Sequence, residues 1–293
     1  MAESLQYSRV RGETQSVFLN TGKLLGIDSI SIQNNFGANT LNYLGVGNKQ
    51  NFQIPISEQS SDVSLNGSLI NSDSFIQHTG AQPINLFILK DKNNTNSALN
   101  NYCLISGYLN SYSARFEINS IPQISTSFKF YKDSGPLVPG NLDPLSSGQL
   151  TNISSNNYDI IPSGLEIPYG DSLNLTLDEY TTNRVQEFNI NYNINRTPIY
   201  NVGSRFMKRV DIIYPIEVNC SFSFEVGYLS GAKLTDFPQN KKTQNISLTV
   251  NGQTGAAITS YNLTNMTMIN ESLSQSIDSN LLINRSYIGY IKE

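Results

Sequence analysis

Between Ile216 and Val226 the chain reads Ile-Glu-Val-Asn-Cys-Ser-Phe-Ser-Phe-Glu-Val, with large apolar residues alternating with Glu, Asn and Ser. A strand sends successive side chains to opposite faces, whereas a helix repeats about every 3.6 residues, so only a strand meets this pattern. The segment is predicted to be half-buried in an antiparallel sheet, apolar on one face and polar on the other. The same parity opens the wider stretch at Val185, Phe188, Ile190, Tyr192 and Ile194. Between the two, Asn195-Arg196-Thr197-Pro198 is predicted to break the strand and Val202-Gly203-Ser204 to turn it. The basic run Arg205-Phe206-Met207-Lys208-Arg209 then leads back in.

A weaker version of this stretch lies near the N-terminus. Ile27, Ile30, Ile32 and Phe36 precede Val185, Phe188, Ile190 and Ile194 by one constant interval, and Leu44-Gly45 precedes Val202-Gly203 by the same interval. At nearly that spacing Pro55 precedes Pro215, and Val63 and Leu65 precede Phe222 and Phe224. Ile118, Ile124, Ser127, Phe128 and Tyr131 likewise precede Ile277, Ile283, Ser286, Tyr287 and Tyr290. A near-constant interval held across separated landmarks marks an internal repeat. The expected organisation is an N-terminal arm over 1–16, a first β-module over 17–133, a Pro/Gly-rich connector over 134–175 and a second β-module over 176–293. Each module is expected to be a β-sandwich or barrel with a long hairpin loop.

Within the first module, a short strand and turn over Val17–Leu25 are expected to lead into Ile27–Phe36, followed by a loop or long hairpin over Gly37–Gln53 whose Gly45 and Gly47 permit positive φ. Pro55–Ile70 is expected to be interrupted at Asn66-Gly67, a hairpin dipeptide. A short helix is expected over Ser72–Thr79 with Asp73 near its start, and a strand over Leu86–Lys90. A long strand over Tyr102–Ile118 follows, with Tyr102, Leu104, Tyr108, Tyr112, Ala114, Phe116 and Ile118 on one face. It turns at Ile121-Pro122 and returns over Ile124–Tyr131. From Ser134 to Ser172 the prolines Pro136, Pro139, Pro144, Pro162 and Pro168 exclude a central strand or helix. In the second module Leu173–Leu177 and Ile246–Val250 read as strands, the latter ending at Asn251-Gly252, and Ile258–Leu273 with Leu281–Ile291 as the closing hairpin.

Composition narrows the chemistry. Only 14% of the 293 residues are charged, and the polar character comes from Asn, Ser, Thr and Gln, as suits a turn-rich β-protein. Tyr (16) and Phe (13) suit strands, while the absence of Trp removes the strongest stacking platform for sugars. A net charge of −4 gives no general attraction to nucleic acid or anionic lipid. The single histidine, His78, has no Cys or second His at ligand spacing, so neither a catalytic triad nor a zinc site is expected. Asp171, Asp178 and Glu179 are the nearest approach to an acidic cluster and read as a solvated strand edge. Leu44-Gly45-Val46-Gly47 lacks the Lys-Ser/Thr of a phosphate loop and reads as a turn. No enzyme activity and no cofactor are expected. Cys103 and Cys220 fall in apolar strand patterns and read as reduced core residues, a disulfide being the other reading. The first residues contain no apolar signal region, and no segment has the apolar length of a membrane-spanning helix. The basic run at Arg205, Lys208 and Arg209, with Arg184 and Arg196 near it, has two readings of equal weight: a solvated hairpin loop, or a contact to acidic residues of a neighbouring subunit. Nucleic-acid binding is disfavoured, since no aromatic residues interleave with the charges in the manner of a single-strand platform.

Two pieces of the sequence resemble phage tail tube (major tail) proteins. One is Val185-Gln186-Glu187-Phe188-Asn189-Ile190-Asn191-Tyr192, followed by Asn195 to Ser204 and Tyr214-Pro215-Ile216-Glu217-Val218. The other is Ser106-Gly107-Tyr108-Leu109-Asn110-Ser111-Tyr112-Ser113, running into Ile121-Pro122 and Ser125–Phe130. The resemblance implies a virion structural protein of the tail, made in the host cytoplasm, that self-assembles into stacked rings around a lumen through which DNA passes without specific binding. It implies homo-oligomeric rings, either a trimeric pseudo-hexamer or a hexamer, contacts to neighbouring virion proteins and no membrane partner. The loops expected to reach a neighbour are Gly45–Phe52 and Ser204–Asp211, which places Gly45, Gly47, Arg205, Phe206, Lys208 and Arg209 at a subunit contact. The fused second module and the Pro-rich connector depart from a single-domain tube subunit. A capsid decoration protein, or a tail-tip or adhesin β-protein, is the alternative reading.

Overall fold

The computed structural model describes residues 16–19, 22–36, 39–45, 48–54, 59–70, 72–76, 80, 82–89, 101–131, 134–136, 168, 172–178, 180–202, 207–226, 243–274 and 281–293. It is an all-β protein built on a large antiparallel sheet, and none of the described residues is α-helical. In the first half the strands are β1 (Ser16–Leu19), β2 (Gly22–Lys23), β3 (Ile27–Phe36), β4 (Asn39–Gly45), β5 (Asn48–Ile54), β6 (Gln59–Ser68), β7 (Ile84–Leu89), β8 (Asn101–Glu117) and β9 (Gln123–Phe130). β10 (Ser134–Pro136) follows. The second half contributes β11 (Leu173–Leu177), β12 (Tyr180–Thr182), β13 (Val185–Asn193), β14 (Arg196–Tyr200), β15 (Met207–Ile212), β16 (Ile216–Val226), β17 (Thr243–Asn251), β18 (Ala257–Ser274) and β19 (Leu281–Ile291).

Pairing follows the same order in both halves. In the first half it runs β2-β1-β7-β8-β9-β6-β3, and in the second β12-β11-β17-β18-β19-β16-β13. Bulges recur at matching places: between Ile27 and Ser29 and between Val185 and Glu187; between Ile84 and Leu86 and between Gln244 and Ile246; between Leu109 and Ser111 and between Met268 and Asn270. Backbone specials match as well. Ser106 and Asn265 hold positive φ, 57° and 55°, a conformation uncommon for residues with a Cβ. Each donates its backbone N–H to an Asn side-chain oxygen, Ser106 to Asn85 (3.2 Å) and Asn265 to Asn245 (3.1 Å).

The two halves meet at one ladder. β8 pairs with β13 from Ser111 opposite Asn193 to Glu117 opposite Glu187, bracketed by Ile194 N–H to the Asn110 carbonyl (2.7 Å) and Ile118 N–H to the Gln186 carbonyl (3.0 Å). Eight strands thus run side by side as β3-β6-β9-β8-β13-β16-β19-β18. Their apolar face packs on a second layer that includes the first part of β18 and β12. Tyr261 of β18 meets Phe116 of β8 edge-on at 5.5 Å and Phe188 of β13 at 6.4 Å, and Tyr180 of β12 meets Phe224 of β16 at 5.9 Å. One buried cluster runs through both halves, from Val17 to Tyr287. At its centre the Asp73 carboxylate, 4% exposed, accepts bonds from the Tyr112 and Tyr261 hydroxyls, the latter at 2.7 Å, and from the backbone N–H of Phe75 at 2.9 Å. Burial, with the carboxylate beside them, pushes both tyrosines well above their ordinary pKa, so they stay protonated donors. A buried carboxylate needs such partners, and here they come from both halves of the chain.

Several expectations are corrected. Asn66-Gly67 is not a hairpin: β6 runs straight through it, and a Cβ on Gly67 would lie 2.2 Å from the Gly26 carbonyl oxygen. That glycine serves a close approach of two backbones. Where a helix is expected from Ser72, the described residues 72–76 form a turn held by the Asp73 side chain, and 77–79, with His78, lie outside the described residues. The strand does end before Asn195, since β13 stops at Asn193, but Arg196–Tyr200 is itself a strand of a separate hairpin, and Pro198 is tolerated because β14 pairs only with β15 among the described strands. The single face expected along β8 changes side at Ser106 and at the Leu109/Ser111 bulge, so Leu109 and Tyr112 enter the main core while Tyr108 joins a separate cluster. Ile118 is 43% exposed. Val63 and Leu65 occupy the ladder positions of Cys220 and Phe222, not of Phe222 and Phe224, because the segment between β3 and β6 is one residue longer than its counterpart. The intervals at Ile124, Ser127 and Phe128 do match ladder positions of Ile283, Ser286 and Tyr287. Of the connector, Ser134–Pro136 adds a short strand to β8 and Pro168 is buried; most of the remainder lies outside the described residues, as do Asp171 and Glu179. Cys220 is a buried free thiol whose pKa burial pushes far up.

Phe222 and Phe224 are 3% and 0% exposed, and Phe222 stacks between Phe188 (6.3 Å) and Tyr287 (5.4 Å). Changing either to Ala is expected to cost about 3–5 kcal/mol, measured by urea unfolding. A cost below about 1 kcal/mol would place that face outside the core.

Candidate assembly surface

Gly45, Lys208 and Arg209, of the residues expected at a subunit contact, stand on two hairpins that leave the main sheet at corresponding points, β4–β5 between β3 and β6 and β14–β15 between β13 and β16. Gly45 ends β4 and pairs with Asn48, while Gly47, Arg205 and Phe206 lie outside the described residues. Lys208 and Arg209 are exposed on β15, where Arg209 Nε lies 3.2 Å from the Asp211 carboxylate. No ladder joins the two hairpins. A bulge explains the exposure: Ile199 pairs with Arg209 and Tyr200 with Met207, so Lys208 is an extra residue that resets the alternation. Met207 and Val210 then both turn inward onto Tyr108 and Tyr131, which leaves Lys208 and Arg209 facing out.

Arg196 does not belong to the basic run. Its guanidinium lies 5.2 Å from the centre of the Tyr108 ring, its Nε donates to the Leu109 carbonyl (3.1 Å) and its Nη2 to the Gly80 carbonyl (3.1 Å). Burial pulls its pKa below the ordinary value, partly offset by Tyr108, Tyr131 and Tyr214. Arg196 therefore clamps the root of the second hairpin to β8. Its signal in the sequence was only its place before a proline, which says nothing of a distant aromatic partner. Arg184 is exposed.

Two larger surfaces were not foreseen. The first is the polar face of the eight-strand sheet. One row across six strands reads Gln123, Arg115, Asn189, Ser221, Ser286 and Asn270, each opposite the next. Arg115, the cation of this row, has the carboxylates of Glu117 and Glu187 beside it, the second at 3.5 Å. The face is thus rich in hydrogen-bonding groups, and among the described residues its carboxylates, Asp62, Glu117, Glu187, Glu217 and Glu225, outnumber its cations, Arg115 and Lys129. The second surface is the pair of sheet ends. No described strand pairs with the outer edge of β3, nor with the edge of β18 beyond Met268 that faces away from β19. Apolar side chains are bare at that end of β18, with Ile269 62% and Leu273 53% exposed. The polar pattern of β3 and the Asn-Glu-Ser interruption in β18 were visible in the sequence, but an unpaired edge shows only once all other pairings are known.

Among the described residues no group of three His, Cys, Asp or Glu side chains is placed to hold a metal ion. No protein-family model matches the chain, and no curated protein matches it in sequence.

Lys208→Glu with Arg209→Glu is expected to change unfolding free energy by no more than about 0.5 kcal/mol, since both side chains face solvent. If the hairpin meets an acidic neighbour, the same variant should associate more weakly than the parent in light scattering, most clearly at low salt. Equal association at every salt concentration would leave the run a solvated loop.

Proposed function

We propose that the chain is two diverged copies of one β-module and that it serves as the ring-forming subunit of a phage tail tube, a virion protein through whose lumen DNA passes. The observation that carries this reading is the repeated pairing order, because it leaves a sheet with two unlike open ends. Such a sheet extends by adding the β3 end of one chain to the β18 end of the next, a head-to-tail contact that closes into a ring when the rotation per module divides the circle.

The dimensions suit that role. Each copy supplies four strands to the continuous sheet, so three chains with six modules give a barrel of roughly 24 strands. At ~4.8 Å between strands its circumference is about 115 Å and its diameter about 37 Å before strand tilt widens it. Side chains then leave room for a nucleic-acid duplex. One face of the sheet is covered by the other strands, and the bare face would line the lumen. Its Ser and Asn rows offer no array of uncompensated cations to grip phosphates, which favours passage over retention. The two hairpins, leaving each module at corresponding points, would reach the adjacent ring, with Lys208 and Arg209 among the contacts and Gly45 near the tip of the other. Other virion proteins would cap the stack at its ends.

Electron microscopy of the purified protein, combined with native mass spectrometry, tests the reading. Stacked rings of three chains with sixfold pseudosymmetry are expected. Rings of six chains would replace the trimer by a hexamer, and a monomer that adds to capsids would favour the decoration alternative.

A further inference from the structure

The ladder between β8 and β13 has no counterpart among the described strands, and that gap specifies a partner. Given the repeated order, β13 corresponds to β3 and the second half of β8 to the end of β18. Inside the chain, β8 and β13 bury each other: Ala114 is 2% exposed and lies opposite Ile190, 3% exposed. Their counterparts are Leu273, 53% exposed, and Ile32, only partly buried. The same contrast holds between Phe188, 0% exposed, and Ile30. Sequence alone does not account for it, since Leu273 is larger and more apolar than the Ala114 it matches. The absent element in both cases is the strand that would lie alongside.

We infer that the end of β18 in one chain pairs antiparallel with β3 of a second copy, in the register that β8 and β13 already use. Carrying each residue to its counterpart sets Asn270 opposite Asn35, Ser272 opposite Gln33, Leu273 opposite Ile32 and Ser274 opposite Ser31. Ile194 donates to the Asn110 carbonyl at one end of the internal ladder; its counterpart bond runs from Phe36 N–H to the Ile269 carbonyl of the neighbouring chain. The register brings Ile32 and Leu273 together on the apolar face, with Glu271 opposite Asn34 beside them, and sets Asn270, Ser272 and Ser274 against Asn35, Gln33 and Ser31 on the polar face. The charged residue on these edges, Glu271, is held by Arg285 of its own chain. From Ser29 to Phe36, β3 contains no Lys, no Pro and no charged residue, and the β18 segment from Ile269 to Ser274 contains neither Lys nor Pro.

The inference rests on the two-copy reading above but not on the tail-tube role. Antiparallel residues that do not share hydrogen bonds stand about 4.5 Å apart at Cα, a separation a disulfide spans. Bonded pairs alternate along the internal ladder from Ile194 and Asn110, so Asn191 and Ser113 form such a non-bonded pair. Their counterparts are Gln33 and Ser272, both exposed. The chain carrying Gln33→Cys and Ser272→Cys is expected to form covalent multimers under mild oxidation, ending in one closed species. Gln33→Cys with Leu273→Cys, whose side chains leave opposite faces, should not cross-link, and neither should the single variants or the parent. Failure of the Gln33/Ser272 variant to cross-link while still sedimenting as an oligomer would overturn the register and leave the ring. A covalent dimer from Ser272→Cys alone would overturn it in favour of two β18 ends pairing with each other. A parent chain that never associates would remove both the ladder and the ring, whereas cross-linked multimers that form no stacked rings would keep the ladder and remove the tube.

Discussion

Every strand carries a row of N–H and C=O groups along each edge, and in a sheet these must meet another strand or water. The rest of this structure depends on how one strand, β8, meets that demand. Its first half bonds β7 on one side and β10 on the other, and its second half bonds β9 on one side and β13 on the other. The change of partner occurs where Ser106 adopts positive φ and the ladder bulges at Leu109/Ser111, which bends the strand and turns its face. A single strand thereby belongs to two layers at once and joins the two halves of the chain. β18 makes the same bend at Asn265 and the Met268/Asn270 bulge, but among the described strands its final segment meets only β19. The difference between those two strands is the difference between a closed interior and an open end.

Packing reinforces the junction. Asp73 sits in a loop of the first half and accepts hydrogen bonds from Tyr112 in that half and Tyr261 in the other. Phe116, Phe188 and Tyr261 pack around the same point. A charged group buried without partners is costly, so this carboxylate favours the arrangement in which both halves are docked. The junction is therefore held by a ladder on one face and by a hydrogen-bonded aromatic cluster beneath it.

Much of this was legible in the residues because a strand with one wet face writes its period directly. The alternation at Val185–Ile194 and Ile216–Val226 predicted β13 and β16, and the closing hairpin expected over Ile258–Leu273 and Leu281–Ile291 is formed by β18 and β19. Where backbone geometry decided the outcome, composition misled. Asn66-Gly67 has the chemistry of a turn, yet the glycine is there so that Gly26 can approach. Arg196 reads as one of several basic residues, yet an aromatic ring and two carbonyls from distant segments fix it. The basic run was visible as charge, but its exposure follows from Met207 and Val210 turning inward. The open edges were hidden for a simpler reason: an unpaired strand has the same sequence as a paired one.

The proposal that chains join through those edges makes the sheet of one subunit the template for its neighbour, with the internal ladder as the pattern. Amide hydrogen exchange, compared between dissociated and assembled protein, tests this most directly. In the internal ladder the amides of Ile190 and Ala114 lie at bonded positions and are expected to be protected in both states. The account predicts that the amides of Ile32 and Leu273 exchange freely in the dissociated chain and become protected on assembly. Unchanged exchange at Ile32 and Leu273 in a fully assembled sample would contradict it.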